Sequence, residues 1–306
     1  MNSDVAAIPA STSALPEGLG ITDPNYKPPP GRLGNLTVPQ QHALEKLKKE
    51  LKEEGYYVAG ELRMSDATML RYLRARKFDV AKAKQMFINS EKWRKDFGVE
   101  DIANNFEYTE QSVVDKYYPQ YYHKTDKDHQ PVYIEVFGKL DLNALYAATT
   151  YERMLKLVVL KYEKSFTDRL PACTAAAGHP VETTCTILDI QNVSLSTFYR
   201  VKDYMFAVSK IIDDHYPECM GKFYIINAPF VFSTMWRFVK PWLDATTAAK
   251  IDILGSAYKD KLLAQIDADN LPKEFGGNCE CHGGCSLSYA GPWNVAESVT
   301  HGKVST

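Results

Sequence analysis

Four groupings of side chains in this 306-residue sequence are of the types, and at the spacings, that chemistry needs. Arg71, Arg74, Arg76 and Lys77 crowd one short stretch. Arginine can fork onto a phosphate and lysine offers a compact charge, although such a cluster is ordinarily a solvated helix face. Glu218 and Lys250 each adjoin an apolar segment and read either as a structural ion pair or as a functional one. Tyrosines 117, 118, 121, 122, 133 and 162 suit core packing, and their ring faces also suit a quaternary ammonium. The run Cys279-Glu-Cys281-His282-Gly-Gly-Cys285 offers three thiols and an imidazole. It lacks the two separated knuckles of a zinc site and reads as reduced loop thiols, with no metal expected. No nucleophile elbow, phosphate-binding P-loop, dinucleotide fingerprint or His-Glu-x-x-His helix is present. That argues against an enzyme, and no cofactor is expected.

Composition narrows the class further. A hydrophobic share of 45% and a charged share of 24% allow one large core or two modest ones. A net charge of −2 gives no reason to expect nucleic acid or broad attachment to acidic membranes. No apolar run approaches the ~20 residues that span a bilayer. The first residues lack the basic and apolar regions of a secretory signal, and six cysteines in so long a chain are no disulfide scaffold. A cytosolic protein follows as the default, and the sequons at Asn35 and Asn192 read as incidental.

The elements that must position these groups fall into two grammars. Residues 1–36 are rich in Pro, Gly, Ser and Ala and read as a mobile tail. Thr37 and Pro39 open a helix with Leu44, Leu47 and Leu51 on one face, and Gly55 closes it. Asp66 is expected to cap a second helix and Asp79 a third, which runs to Gly98. Residues 37–105 are therefore a helical unit. From about residue 113 the pattern turns to strands. An extended segment over 116–123, a polar turn and the run from Pro131 to Val136 predict a β-hairpin. A long helix from Thr150, a strand near 184–190 and a helix from Ser196 to about Asp213 follow. Alternation of this kind predicts a mostly parallel α/β sheet within residues 110–280, with 281–306 as a C-terminal loop and tail.

The stretch from Tyr216 to Leu254 carries two short strands around an apolar helix. Phe232, Met235, Trp236, Val239, Trp242 and Leu243 share one helical face, while Phe230, Val231 and Phe238 lie off it. A helix apolar on more than one face needs cover on more than one face, or meets lipid. Ser233 or Thr234 can cap it, Pro241 ends or kinks it, and Asp244 begins the next turn. Alone, this reads as a crossover helix inside an α/β core.

Several longer stretches agree at once: LRYLRARKFDVAKA at 70–83, YYPQYYHKTDKD at 117–128, ERMLK at 152–156, RLPAC at 169–173, AAGHPVETTCTILD at 176–189, YPECMGKFYIINAPFVFS at 216–233 and LPKEFGGN at 271–278. Together they resemble the fungal phosphatidylinositol/phosphatidylcholine transfer proteins of the CRAL-TRIO (Sec-fourteen) family, over about residues 33–294. The resemblance implies a CRAL-TRIO lipid-binding fold, in which a sheet floors an apolar slot for one phospholipid. The helix at about 231–240 would be its lid, with Phe232, Trp236 and Phe238 facing lipid or membrane. It implies an inositol-lipid site at Arg76, Thr247 and Lys250, with Glu218 as the acidic partner. A choline-lipid site is implied at Tyr122, Tyr133, Tyr162, Thr184 and Thr186; at Thr184 the family often has serine, so a methyl is added there. Gly277 matches a glycine on whose backbone freedom the family's fold relies. The Cys-rich loop replaces variable sequence.

Exchange of phosphatidylinositol with phosphatidylcholine between membranes is the function implied, presenting phosphatidylinositol to lipid kinases in Golgi and secretory trafficking. A cytoplasmic monomer, peripheral on Golgi or endosomal membranes, is the corresponding expectation. The alternative is the same fold carrying a sterol or another hydrophobic ligand, against which Arg76, Glu218, Thr247 and Lys250 speak.

Overall fold

The computed structural model of the chain describes residues 21–230, 232–243 and 245–294; the side chains of residues 233–235, 238 and 242 lie outside that description. Asp244, expected to begin a helical turn, is likewise outside it.

Three helices build the first core. α1 (Val38–Glu53) opens on a capping box in which Thr37 and Gln40 satisfy each other's backbone amides. α2 (Asp66–Ala75) is capped by Ser65, one residue before the expected Asp66, which forms the first turn instead. α3 (Val80–Phe97) is capped by Asp79 and stopped by Gly98 at φ +75°. Leu44, Leu47, Leu51, Met69, Leu70, Leu73 and Phe87 bury into one cluster, as their spacing requires. A short α4 (Val99–Asn105) follows.

Residues 116 and 117, the start of the expected extended segment, are helical, as are those before them from residue 111. They belong to α5 (Gln111–Tyr117), which buries Val114. The strand proper, β1 (Gln120–Thr125), pairs antiparallel with β2 (Pro131–Val136) as the hairpin pattern predicts. Next come α6 (Leu142–Ala148) and α7 (Tyr151–Lys164). One π-turn over Ser165–Arg169 joins α7 to α8 (Leu170–Ala177). β3 (Thr184–Asp189), α9 (Leu195–His215) and β4 (Met220–Ile226) continue the chain. α10 (Phe232–Val239), α11 (Ala245–Ala248) and β5 (Ile251–Ile253) then lead to α12 (Lys259–Gln265) and α13 (Cys285–Ser288). The five strands lie in sequence order, and every pairing after the hairpin is parallel.

Period-two alternation splits the sheet into unlike faces. Val132, Ile134, Cys185, Ile187, Tyr224 and Ile226 are buried against Leu262, Ile266, Leu271 and Phe275. The opposite face carries Tyr133, Glu135, Thr184, Thr186, Leu188 and Phe223, and each of these retains partial exposure although helices cover that side.

Two expectations for the N-terminal half are corrected. From residue 22 the supposed tail is held down: Thr22 and Asp23 donate to the Gly178 carbonyl at 2.7 and 3.1 Å, and Tyr26 stacks on His179 at 4.4 Å. Nor is the basic cluster a solvated face. Arg71 is buried and donates to the carbonyls of Glu218 (2.8 Å) and Glu182 (2.5 Å), so α2 is bolted to the loops that precede β3 and β4. Periodicity marks which face of α2 is apolar, but not which neighbour its arginines meet.

His215, at the end of α9, stacks on Trp93 of α3 with ring centroids 3.9 Å apart. Burial pushes its imidazole down to about 4; Asp214 opposes this, and Lys210 and Arg94 add to it. Because the folded state binds the proton more weakly than the unfolded chain does, this site stabilises above pH ~6.5 and loses stability as pH falls from there towards 4. Between pH 7 and pH 5 the loss is about 1 kcal/mol, the ~1.4 kcal/mol per unit being roughly halved because the imidazole is partly open to solvent. Urea unfolding at both pH values should show a wild-type decline steeper by that amount than in His215→Phe; parallel declines would reject this assignment.

Candidate functional site

The inner face is read most easily along one rung of the sheet. Register places Tyr122 opposite Tyr133, Tyr133 beside Thr186, Thr186 beside Phe223 and Phe223 beside Ile251. With strands ~4.8 Å apart, that rung spans about 19 Å. Tyrosines occupy one end of the rung and Phe223 and Ile251 the other, with charged groups gathered just before β4 and β5.

At the β4–β5 end, parallel pairing brings the residues that precede the two strands to one edge. Glu218 adopts a left-handed backbone at φ +57°, an uncommon conformation for a residue with a side chain. Its carbonyl accepts from Arg71. Its carboxylate lies 3.8 Å from Lys250 Nζ and 3.7 Å from Arg74 Nε. Both separations are ion pairs too long to be hydrogen bonds, so the carboxylate is held between two cations without being closed onto either. Lys250 is anchored by its amide to the Thr247 carbonyl at 3.0 Å, and its own carbonyl accepts from Phe223. Glu182 adds a second carboxylate, bonded to Arg32 and 3.2 Å from Arg74. Burial lowers the Arg74 guanidinium to about 10, which leaves it charged at neutral pH. Arg76 stands at the C-cap of α2, where its Nη1 donates to the Ala75 carbonyl at 3.0 Å. The structure thus joins Glu218 with Lys250 and puts Thr247 three residues away. Arg74 makes the ion pair with Glu218.

The β1–β2 end holds the tyrosines. Tyr122 and Tyr133 have ring centroids 4.9 Å apart, and Tyr122 shares a 2.8 Å hydrogen bond with Ser165 of the π-turn. Their faces already meet protein cations. The Arg169 guanidinium lies 4.1 Å from the Tyr122 centroid, and Lys161 Nζ lies 5.4 Å from that of Tyr133. Arg169 is buried, and its Nη2 donates to Tyr289 at 3.2 Å while its Nε and Nη1 have no protein partner. Lys161 donates to Gln120 at 2.5 Å, and Tyr133 donates to the same oxygen at 3.2 Å. Tyr118 bonds to Glu135 in the same network. Burial pushes the Glu135 carboxyl up and the Lys161 ammonium down, each resisting charge in a confined site. Tyr162 sits apart from this pair and packs on Tyr216 at 4.9 Å.

α10 covers an apolar cluster. Phe232 is buried, and Trp236 and Val239 pack with Phe198, Val201 and Ile225. Phe238 lies on the helix, but its side chain is outside the described residues. Phe230, just before α10, is fully exposed. A small cleft, with a cavity volume of about 10 Å³, lined by Phe137, Leu142, Leu145, Met154 and Val201 lies beside this core. That is far below the ~300 Å³ at which small-molecule sites begin.

The CRAL/TRIO domain pattern matches residues 115–277, and the CRAL/TRIO N-terminal domain pattern matches residues 43–89. This chain belongs to the CRAL-TRIO family. Its CRAL-TRIO relatives include the Sec14 cytosolic factor of Schizosaccharomyces pombe, 50% identical over 90% of this chain and 94% of the relative. The SEC14 cytosolic factor of Candida glabrata is 51% identical over 88% and 89% of the two chains. The phosphatidylinositol/phosphatidylcholine transfer protein SFH4 of Arabidopsis thaliana is 45% identical over 77% of this chain and 39% of its own length. The crystal structure of Sfh5 shares the fold, with a TM-score of 0.65 at 18% identity, covering 87% of this chain and 99% of the other. Among the described residues, no helix of this CRAL-TRIO chain is long and apolar enough to cross a membrane.

Sequence reasoning missed Arg74, Lys161 and Arg169 as members of the site. Arg74 stood in the basic cluster, but nothing in its spacing separated it from Arg76. Lys161 adjoins Tyr162 in a helix whose Glu152 and Lys164 face water, and its own inward turn carried no local signal. The fourth member of the cysteine cluster was also misplaced. His282 is exposed, while the buried His123 of β1 lies against Cys279, Nε2 to Sγ 3.3 Å.

Proposed function

We propose that this protein carries one phospholipid in the slot between the sheet and α10, exchanging phosphatidylinositol and phosphatidylcholine between membranes. The observation that carries the reading is the inner sheet face, interior to the fold yet partly exposed strand by strand, with a polar cluster at each end. Family membership and relatives named as phosphatidylinositol/phosphatidylcholine transfer proteins support it. Acyl chains crossing water alone expose apolar surface at ~0.8 kcal/mol per CH₂, and a covered slot removes that barrier. The headgroup phosphate then needs fixed donors, because an unpaired buried charge is costly.

In this reading the inositol headgroup sits at Arg76, Glu218, Thr247 and Lys250, with Arg74 added. Hydroxyls of the ring bridge the gaps that the long ion pairs leave around Glu218. The choline lipid uses Tyr122, Tyr133, Tyr162, Thr184 and Thr186. Hydroxyls and the open donors of Arg169 take the phosphate, and ring faces take the ammonium. Two headgroup sites sharing one acyl slot let one lipid replace the other. Opening at a bilayer turns Phe232, Trp236 and Phe238 outward beside the already exposed Phe230, giving a transient anchor. A monomeric carrier rather than an enzyme, working in the cytoplasm and on Golgi or endosomal surfaces and supplying phosphatidylinositol to lipid kinases, completes the proposal.

Mass spectrometry of an organic extract, after incubation with mixed-lipid vesicles, tests it. About one glycerophospholipid per chain, in both inositol and choline forms, is expected; recovery of a sterol or of no phospholipid would overturn the cargo.

Because Lys161 already occupies the Tyr133 face, a choline group must displace it. Lys161→Gln should therefore raise the ratio of bound choline lipid to inositol lipid by about 3–10-fold, the scale of one cation–π contact. Lys161→Arg should leave the ratio unchanged. An unchanged or lower ratio in Lys161→Gln would show that choline sits elsewhere.

A further inference from the structure

We propose that His123, Cys279, Cys281 and Cys285 form a structural zinc site that staples the C-terminal segment to β1. One ligand atom from each residue lies within 4.8 Å of all the others. Cys279 and Cys281 sulfurs are 3.7 Å apart, and His123 Nε2 is 3.3 Å from Cys279 Sγ. Zinc held at ~2.3 Å by sulfur and ~2.0 Å by nitrogen in a tetrahedron needs ligand–ligand edges of about 3.4–3.8 Å. The thiols are free, and 3.7 Å is far from the ~2.05 Å of a disulfide bond.

The surroundings suit a metal as well as the four donors do. Ser288 Oγ lies 3.3 Å from His123 Nδ1, the outer contact that fixes an imidazole's tautomer and leaves Nε2 free to ligate. Gly283 and Gly284 take φ values of +78° and +98°, turning the chain so that Cys285 comes back onto Cys279, whose carbonyl lies 3.4 Å from Cys285 Sγ. Cys279 and His123 are buried, while Cys281 and Cys285 are partly exposed and give an entry path. Three thiolates and one imidazole are soft, nitrogen–sulfur ligation that selects zinc over magnesium or calcium. Four protein ligands leave no open position, so the role is structural.

What the staple holds follows from the chain on either side. His123 neighbours Tyr122, and Lys124 donates to the Ala290 carbonyl at 2.7 Å. Beyond the cysteines, Tyr289 lies 5.5 Å from the Arg169 guanidinium and Trp293 lies 6.1 Å from Tyr122. Zinc would therefore fix the segment that backs the Tyr122–Arg169 pair. The site stands independently of which lipid the slot carries.

The test is elemental analysis of the full-length chain, purified without a metal-affinity tag, together with cobalt(II) substitution of the stripped protein. One zinc per chain is expected, with a cobalt spectrum showing tetrahedral d–d bands and thiolate charge transfer. Both should be lost in Cys281→Ser/Cys285→Ser, chosen because these positions are partly exposed and the variant should still fold. Stripping zinc should lower Tm by about 5 °C or more. Failure to retain zinc after exposure to zinc and reductant, or equal retention by the double variant, would overturn the site. So would thiol titration of the isolated protein showing a disulfide among these cysteines.

Discussion

Lys250→Ala is expected to weaken phosphatidylinositol transfer strongly and to leave phosphatidylcholine transfer close to its original rate. Lys250 is positioned by the start of β5, with its amide on Thr247 and its ammonium 3.8 Å from Glu218. A charge-assisted hydrogen bond to a phosphate is worth ~1.5–3 kcal/mol, so the loss of inositol-lipid binding is about 10–150-fold. Stability should hardly change, because a partly exposed ion pair contributes less than ~1 kcal/mol. The proposed choline site should lose nothing directly, since Tyr122 and Tyr133 lie at the other end of the rung. Glu218→Gln should fall on the same side, weakening inositol-lipid transfer. Parallel assays with labelled inositol and choline lipids check this. Equal losses in both would mean that the two headgroups share one site.

A large effect on stability is expected at Gly277. A Cβ there would stand 2.0 Å from the Leu271 carbonyl oxygen and 2.6 Å from Leu271 Cβ. Leu271 is fully buried beneath the sheet, so neither atom can move aside alone. The neighbouring bonds tighten the constraint: Asn278 donates to Ala268 at 2.7 Å and Cys279 donates to Leu271 at 3.1 Å. Relief must come from shifting the backbone that carries Phe275 into the core and Cys279 onto His123. Overpacking of this kind costs about 3 kcal/mol or more, roughly 6–12 °C in Tm for a domain of this size. Differential scanning calorimetry of Gly277→Ala measures it, and a change under ~2 °C would show that the loop yields. The same substitution at Gly255, where a Cβ meets nothing within 4 Å, should be nearly silent.

Much of this architecture was legible in local chemistry. Thr37, Asp79 and Gly98 act at the helix ends where their types place them, because a cap depends on three or four neighbouring residues. β3 and β4 follow from short β-favouring runs, and the mostly parallel sheet follows from strands alternating with helices, whereas the strand order is a finding of the structure. α5 was misread because four tyrosines over residues 117–122 favour extended backbone, while packing of Val114 and Tyr118 beside α6 decided the segment before them. Ser65 displaced Asp66 as a cap by one position, within the ordinary uncertainty of a helix boundary.

By itself the sequence determined the class of fold and an unusually apolar helix between β4 and β5, and its long matched stretches supplied the residues proposed for each headgroup. These are properties of periodicity and of long, matched stretches. Only the tertiary structure decided which charged groups meet. Arg71 and Arg74 turn inward because α2 packs on the loops before β3 and β4, separated from them by more than a hundred residues of chain. Lys161 reaches the Tyr133 face from α7, and Arg169 reaches the Tyr122 face from the π-turn that follows it. His123 joins three cysteines that follow it by some 160 residues, because β1 runs beside the returning C-terminal segment. Pairings of this kind are set by the close packing of distant segments, and no local pattern encodes them.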